Sequence, residues 1–211
     1  MKKAVIFDLD GVLVHTDRLH YAAWKGLTDR LGLPFGETVY DRLRGISRMD
    51  SLDIVLEPSP ISYTPAEKEA LAAEKNAAYV ARVAQMTPDD VEANTRAALE
   101  ALRARGVLLA VGSSSKNARP ILERTGLTGC FQAIADGNSI TRAKPDPEVF
   151  LTAARLLGVA PAEALVVEDA AAGIQAAHAG GFESVAFGGD AVDSPLAEHV
   201  VTRLTQLVEL V

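Results

Sequence analysis

The pattern of apolar and polar positions changes character twice along the chain. Residues 5–7, Val-Ile-Phe, form a β-branched and aromatic run of strand type that ends abruptly in Asp8-Leu9-Asp10-Gly11, a strand followed by a turn. From Asp17 onward, Leu19, Ala22, Ala23, Leu27, Leu31 and Leu33 recur with helical spacing, and Gly32 with Pro34 marks the end. Two further helical segments are predicted over 38–56 and 64–83, separated by a turn at Pro58-Ser59-Pro60, and nothing between 17 and 88 reads as a strand. From residue 94 helix and strand alternate. Helices are predicted over 95–105, 117–125, 147–157 and 171–180, strands over 107–111, 133–135, 164–167 and 184–187, with a weaker strand over 199–202 and a final short helix.

Several of these strands are continuous apolar runs, as expected when helices cover both faces of a parallel sheet. The predicted fold class is α/β: a doubly wound, Rossmann-like, mostly parallel sheet interrupted after its first strand by an all-helical cap. Residues 1–14 and 91–211 form the predicted core and residues 15–90 the predicted cap.

Composition narrows the function classes. At 211 residues and 48% hydrophobic, the chain can bury a full core. Its 21 basic and 28 acidic residues give a net charge of -7, which supplies no basic footprint for nucleic acid or anionic lipid and favours small-molecule partners. The single cysteine, Cys130, builds neither an intrachain disulfide nor a zinc cluster, which fits a reducing cytoplasm. Asp8 and Asp10 cut the first apolar run too early for a secretory signal, and no other run reaches the length of a membrane span. A soluble, cytoplasmic monomer is the expectation.

The chemistry lies in the residues just past each strand, because open parallel sheets bind ligands at the carboxyl ends of their strands. After the first comes Asp8-Leu9-Asp10-Gly11, after the second Gly112-Ser113-Ser114-Ser115-Lys116-Asn117, beyond the third Lys144-Pro145, and after the fourth Glu168-Asp169. Two neighbouring buried carboxylates require a metal, a shared proton, or both. Asp8 reads as a nucleophile able to pass through an aspartyl phosphate, with Asp10 as acid/base. A magnesium ion would lessen the repulsion between Asp8 and a phosphate. Its expected ligands are Asp8, the backbone carbonyl of Asp10 and Asp169, with Glu168 binding directly or through water. Ser113 and Lys144 are placed to hold the phosphate's non-bridging oxygens.

Asp8 to Asp10, Ser113, Lys144 and Glu168-Asp169 together resemble the four motifs of the haloacid dehalogenase superfamily, and the resemblance covers the whole chain. Within it, the chain is similar to sugar-phosphate mutases at Thr16-Asp17 with His20 and Trp24-Lys25, at 44–52, at Lys75-Asn76, at 113–117 and at Ile134-Ala135-Asp136. That likeness implies a sugar-phosphate loop of Gly45, Ile46 and Arg48, Lys75 approaching the substrate from the cap, and Ser115, Lys116 and Asn117 holding the distal phosphate. It also counts Thr16 and His20 with the catalytic group, His20 near Asp10 when the cap is closed, and places Trp24 among the substrate positions as packing at the cap interface. The implied reaction interconverts β-glucose 1-phosphate and glucose 6-phosphate through a bisphosphate, with the cap excluding water. Arg48 would grip the phosphate not being transferred, a site that a phosphatase does not need.

Other readings stand beside these. One of Ser113 to Ser115 caps the helix near Asn117; Lys75 or Arg44 lies on the solvated surface; His20 is a polar helix-face residue; His15, His178, His199 and Cys130 are structural. Where relatives commonly carry Pro-Gly on leaving the cap, Ala93-Asn94 stands here, which implies a more flexible hinge or an earlier helix start. A sugar-phosphate phosphatase is the alternative activity. A silent phosphosugar-binding regulator has little need of the nucleophile.

Overall fold

The structure, a computed structural model, describes residues 2–43 and 46–211. Gly45 of the expected sugar-phosphate loop, and Arg44 before it, lie outside the described residues. The chain packs as two compact units, one of Met1–His15 with Met86–Val211 and one of Thr16–Gln85.

The first unit is built on six parallel strands in the order β3-β2-β1-β4-β5-β6: β1 Ala4–Phe7, β2 Leu108–Gly112, β3 Ala133–Ala135, β4 Ala164–Glu168, β5 Glu183–Ala186 and β6 His199–Val200. β1 lies at the centre, with Phe7 opposite Val111 on one side and Val167 on the other. All four of its residues are fully buried, which is why this strand shows no polar alternation. The chain moves outward from β1 to β2 and β3, then crosses to β4 on the far side. That reversal opens a crevice beyond the carboxyl ends of β1 and β4. Ile6, Ala110 and Val166 of the sheet pack with Val149, Phe150 and Ala153 of the helix Glu148–Leu157 in one apolar cluster.

The second unit, Thr16–Gln85, holds α1 Asp17–Leu31, α2 Glu37–Asp41, α3 Arg48–Leu56 and α4 Pro65–Val83, and no strand among its described residues. Trp24, Leu27, Leu52, Val55 and Leu71 form its core. Gly32 ends α1 in the left-handed conformation. Thr64 and Glu67 form a reciprocal capping box at the start of α4.

Two segments differ from the sequence expectation. Residues 38–56 are not one helix: α2 stops at Asp41, and Ser47, in extended conformation, caps α3 by accepting from the Asp50 N–H at 3.2 Å. The helix expected over 95–105 is α5, Ala93–Ala104. It starts earlier, as one of the two readings of Ala93-Asn94 anticipated, and the Asn94 side chain accepts from the Thr205 N–H at 3.3 Å. The other expected elements match within one or two residues, and the last helix, Leu204–Glu209, is a 3-10 helix.

Candidate active site

The Asp8 N–H donates to the Val167 carbonyl at 2.9 Å, carrying the β1–β4 pairing one residue past the strand. The chain then turns tightly: Gly11 N–H donates to Val14 O at 2.7 Å, and the Leu13 and Val14 N–H groups both donate to Leu9 O. Gly11 has φ +85°, and a Cβ there would lie 1.9 Å from Asp169 Oδ2. Glycine is needed twice over, for the positive φ and for the room that lets the Asp169 carboxylate rest against the turn.

Lys144 joins the strand ends. Its ammonium donates to Asp8 Oδ1 and, at 2.5 Å, to Glu168 Oε1, and it sits 4.7 Å from the centre of the Phe150 ring. Asp8, Lys144 and Glu168 are all buried. Burial opposes the charged lysine, but the two carboxylates outweigh it and hold its pKa above the usual lysine value. Burial pushes Glu168 up to about 7, with Lys144 pulling it down and Asp8 pushing it further up. One ammonium between two carboxylates is stabilised by both, while each carboxylate also feels the other.

Glu168 spends both oxygens on protein donors, Oε1 on Lys144 and Oε2 on the Asp169 and Ala170 N–H groups at 3.0 Å each. Those N–H groups precede the helix Ala171–Ala179. A Cβ at Gly173 would collide with the Glu168 carboxyl carbon at 1.9 Å, so the helix offers a glycine face to this side chain. Asp8, by contrast, engages Lys144 through Oδ1, and Oδ2 has no donor among the described residues. One oxygen each of Asp8, Glu168 and Asp169 lies within 4.8 Å of the others. Three hard carboxylate donors at this separation fit a magnesium ion, with Asp8 and Asp169 the better first ligands because Glu168 is already engaged.

The 113–117 segment follows β2. Ser113 is 1% exposed; its N–H donates to Ala135 O at 3.1 Å and its Oγ accepts from the Ser115 N–H at 3.1 Å. Ser115 Oγ accepts from the Asn117 N–H at 3.2 Å. None of the serines caps the next helix, Ala118–Arg124, whose N-cap Asn117 makes no side-chain cap bond. The loop is folded by its own hydroxyls instead, and Lys116 is exposed.

In the helical unit, Lys75 is 4% exposed, so the surface reading of it fails. Its ammonium lies 2.8 Å from His20 Nδ1, 4.7 Å from the Trp24 ring centre and 5.1 Å from the Tyr79 ring centre. His20 stacks on Tyr79 at 3.9 Å. Burial, then Lys75, then Arg48 hold the His20 pKa well below its ordinary value. The imidazole is therefore neutral and accepts at Nδ1 from Lys75, which leaves its proton on Nε2. His20 and Trp24 are four residues apart on α1, as are Lys75 and Tyr79 on α4, so each helix sends one face into the cluster. Trp24 is buried in the unit's apolar core with one ring face toward Lys75, a packing position. Arg48 opens α3, half-buried, and burial lowers its pKa; Ile46 is exposed beside it. Thr16 is buried, and its carbonyl accepts from the Leu19 and His20 N–H groups.

Phe150 and Tyr79 were not singled out from the sequence, because a buried aromatic facing an ammonium has the same pattern as one facing other apolar side chains. The spacing of Tyr79 from Lys75 was the available signal.

Comparison with known proteins adds an independent line. The haloacid dehalogenase-like hydrolase family matches over residues 2–181. A β-phosphoglucomutase from Bacillus subtilis is 40% identical over 188 residues, covering 88% of this chain and 83% of that protein. A phosphorylated carbohydrates phosphatase from Thermotoga maritima is 29% identical over 185 residues, covering 87% and 83%. The crystal structure of a β-phosphoglucomutase from Clostridium difficile superposes with a TM-score of 0.89 at 36% identity, covering 98% of this chain and 93% of that one. With Asp8, Lys144 and the Glu168-Asp169 pair gathered at the strand ends, and with these matches across most of its length, the chain belongs to the haloacid dehalogenase-like hydrolase family.

Proposed function

We propose that the protein is a magnesium-dependent β-phosphoglucomutase, interconverting β-glucose 1-phosphate and glucose 6-phosphate through an aspartyl phosphate on Asp8, with Thr16–Gln85 serving as its cap. The observation that carries phosphoryl transfer is Asp8 itself: one carboxylate oxygen tied to Lys144, the other without a donor among the described residues, and Asp169 close by. An oxygen in that state is available for attack on phosphorus. Asp8, Asp169 and the Asp10 carbonyl would hold the magnesium ion, which supplies charge neutralisation for the approaching phosphate.

In the forward direction, the sugar's 6-hydroxyl oxygen attacks the phosphorus on Asp8. The new O–P bond forms as the Asp8 O–P bond breaks, and Asp10 takes the hydroxyl proton. The resulting bisphosphate turns over and presents its 1-phosphate. Asp8 attacks that phosphorus, the bond to the sugar oxygen breaks, and Asp10 returns its proton to the leaving oxygen. Ser113 and Lys144 hold the oxygens of the phosphoryl group in flight.

A mutase differs from a phosphatase in holding two phosphates at once. Ser113 and Lys144 take the one in transfer, while Ser115, Lys116 and Asn117, with Arg48 by a bidentate contact, serve the phosphate not being transferred. The neutral His20, fixed by Lys75, presents its Nε2–H as a donor. The likeness to two β-phosphoglucomutases supports this reading over hydrolysis, while the Thermotoga maritima relative makes a sugar-phosphate phosphatase the alternative. The two separate on product. With magnesium, β-glucose 1-phosphate and a trace of β-glucose 1,6-bisphosphate, phosphorus NMR should show glucose 6-phosphate as the dominant product. Inorganic phosphate in its place would establish the phosphatase.

A further inference from the structure

The 113–117 loop is not held by its serines alone. A short turn after β3 grips it from the side. Gly137 N–H donates to the Ser115 carbonyl at 3.1 Å, and the Asn138 side-chain amide donates to the Lys116 carbonyl at 3.0 Å. A Cβ on Gly137 would stand 2.4 Å from Ser114 O and 2.9 Å from Lys116 N, so the two backbones lie against each other.

The turn itself is anchored by Asp136, 2% exposed. Its Oδ1 accepts from the Asn138 N–H at 3.0 Å and its Oδ2 from Arg119 Nε at 3.1 Å, while its N–H donates to Ser139 Oγ at 2.8 Å. Arg119 also donates to Ile134 O at 3.1 Å. The turn is thus held rigidly to β3 and to the helix Ala118–Arg124 that comes after the loop.

Both carbonyls of the Ser115-Lys116 pair are consumed by this contact. The Lys116 N–H takes no acceptor among the described residues, and its side chain is exposed. The Ser115 and Asn117 N–H groups are taken by the Ser113 and Ser115 hydroxyls; turning the carbonyls, which would repel an anion, toward Gly137 and Asn138 leaves the Lys116 N–H as the loop's backbone donor for a ligand. We propose that Asn138 is a positioning residue for the sugar's distal phosphate: its amide fixes the peptide after Lys116 as the Gly137 N–H fixes the peptide before it, and the two together hold Lys116 with its N–H and ammonium toward the ligand. This rests on the proposed function, in which Ser115, Lys116 and Asn117 hold that phosphate.

The test compares Asn138→Ala and Lys116→Ala with the unchanged enzyme on two substrates, β-glucose 1-phosphate, which brings a sugar phosphate to the loop, and acetyl phosphate, which only phosphorylates Asp8. For Asn138→Ala the expected result is a KM for β-glucose 1-phosphate raised about fivefold or more, with kcat and the rate of phosphorylation by acetyl phosphate within about twofold. Equal losses on both substrates would overturn the proposal by making Asn138 a general structural residue. An unchanged KM in Asn138→Ala beside a raised KM in Lys116→Ala would overturn it while sparing the phosphate reading. An unchanged KM in both variants would remove the phosphate reading, and this inference with it.

Discussion

Gly11 concentrates several constraints in one residue. Its φ of +85° is strained for any other amino acid, and a methyl group there would meet Asp169 Oδ2 at 1.9 Å. Gly11→Ala is expected to push the Asp169 carboxylate away from Asp8 and weaken magnesium binding at least tenfold by titration calorimetry; unaltered affinity would show that the turn does not set the acidic cluster. Asp8→Asn should abolish turnover, because an amide is a poor nucleophile.

His20 supplies a pH dependence whose sign is fixed by its environment. Its folded pKa lies below the ordinary 6.5, so between these values the unfolded chain binds more protons. Its contribution to stability is complete above pH 6.5 and falls as the pH drops toward the folded pKa. Glu168, raised from 4.5 to about 7, works in the opposite sense, favouring the folded state less as pH rises through that window. The comparison is therefore with His20→Asn: between pH 7 and pH 5 the unchanged protein should lose more thermal stability than the variant. An equal loss would place the His20 pKa near its ordinary value.

Asp8 and the Glu168-Asp169 pair were legible as residues because charged side chains at the ends of apolar strands demand compensation, and Lys144, in the segment beyond β3, through the motif it completes with them. Phe150, beneath Lys144, and Asn138, beside Lys116, were not. Their contacts arise from segments brought together only by the sheet, with no local pattern to reveal them.

At the level of elements, continuous apolar strands and helical periodicities located the core well, since burial on both faces leaves a strong signal. Helix continuity was harder to read. Over 38–56 the periodicity runs on, but Ser47 with Asp50 three residues later marks a new helix start, and the Ser47 cap contact separates α3 from α2. Ser47→Ala should lower stability by about 1 kcal/mol in urea unfolding. Because α3 opens on Arg48, the same change should raise the KM for β-glucose 1-phosphate; a stability loss with unchanged KM would free Arg48 from its cap. Arg48→Ala itself should reduce isomerisation far more than hydrolysis of a small phosphate ester. Equal losses would count against two phosphate sites.

For the whole molecule, the strand order places β1 and β4 side by side where the chain reverses direction across the sheet, and that topology sets Asp8 next to Glu168-Asp169. The doubly wound sheet could be read from the alternation of elements, and the separate packing of Thr16–Gln85 accompanies the all-helical pattern there. The sequence singled out Lys75 but did not disclose its burial, which arises where α4 packs it against His20 and Trp24 of α1. The central claim is that phospho-Asp8 gives its phosphoryl group to a sugar and not to water. Enzyme carrying radiolabelled phosphate on Asp8, mixed with β-glucose 1-phosphate and quenched within one turnover, tests it directly. The label should appear in β-glucose 1,6-bisphosphate and glucose 6-phosphate; label released chiefly as inorganic phosphate would contradict the account.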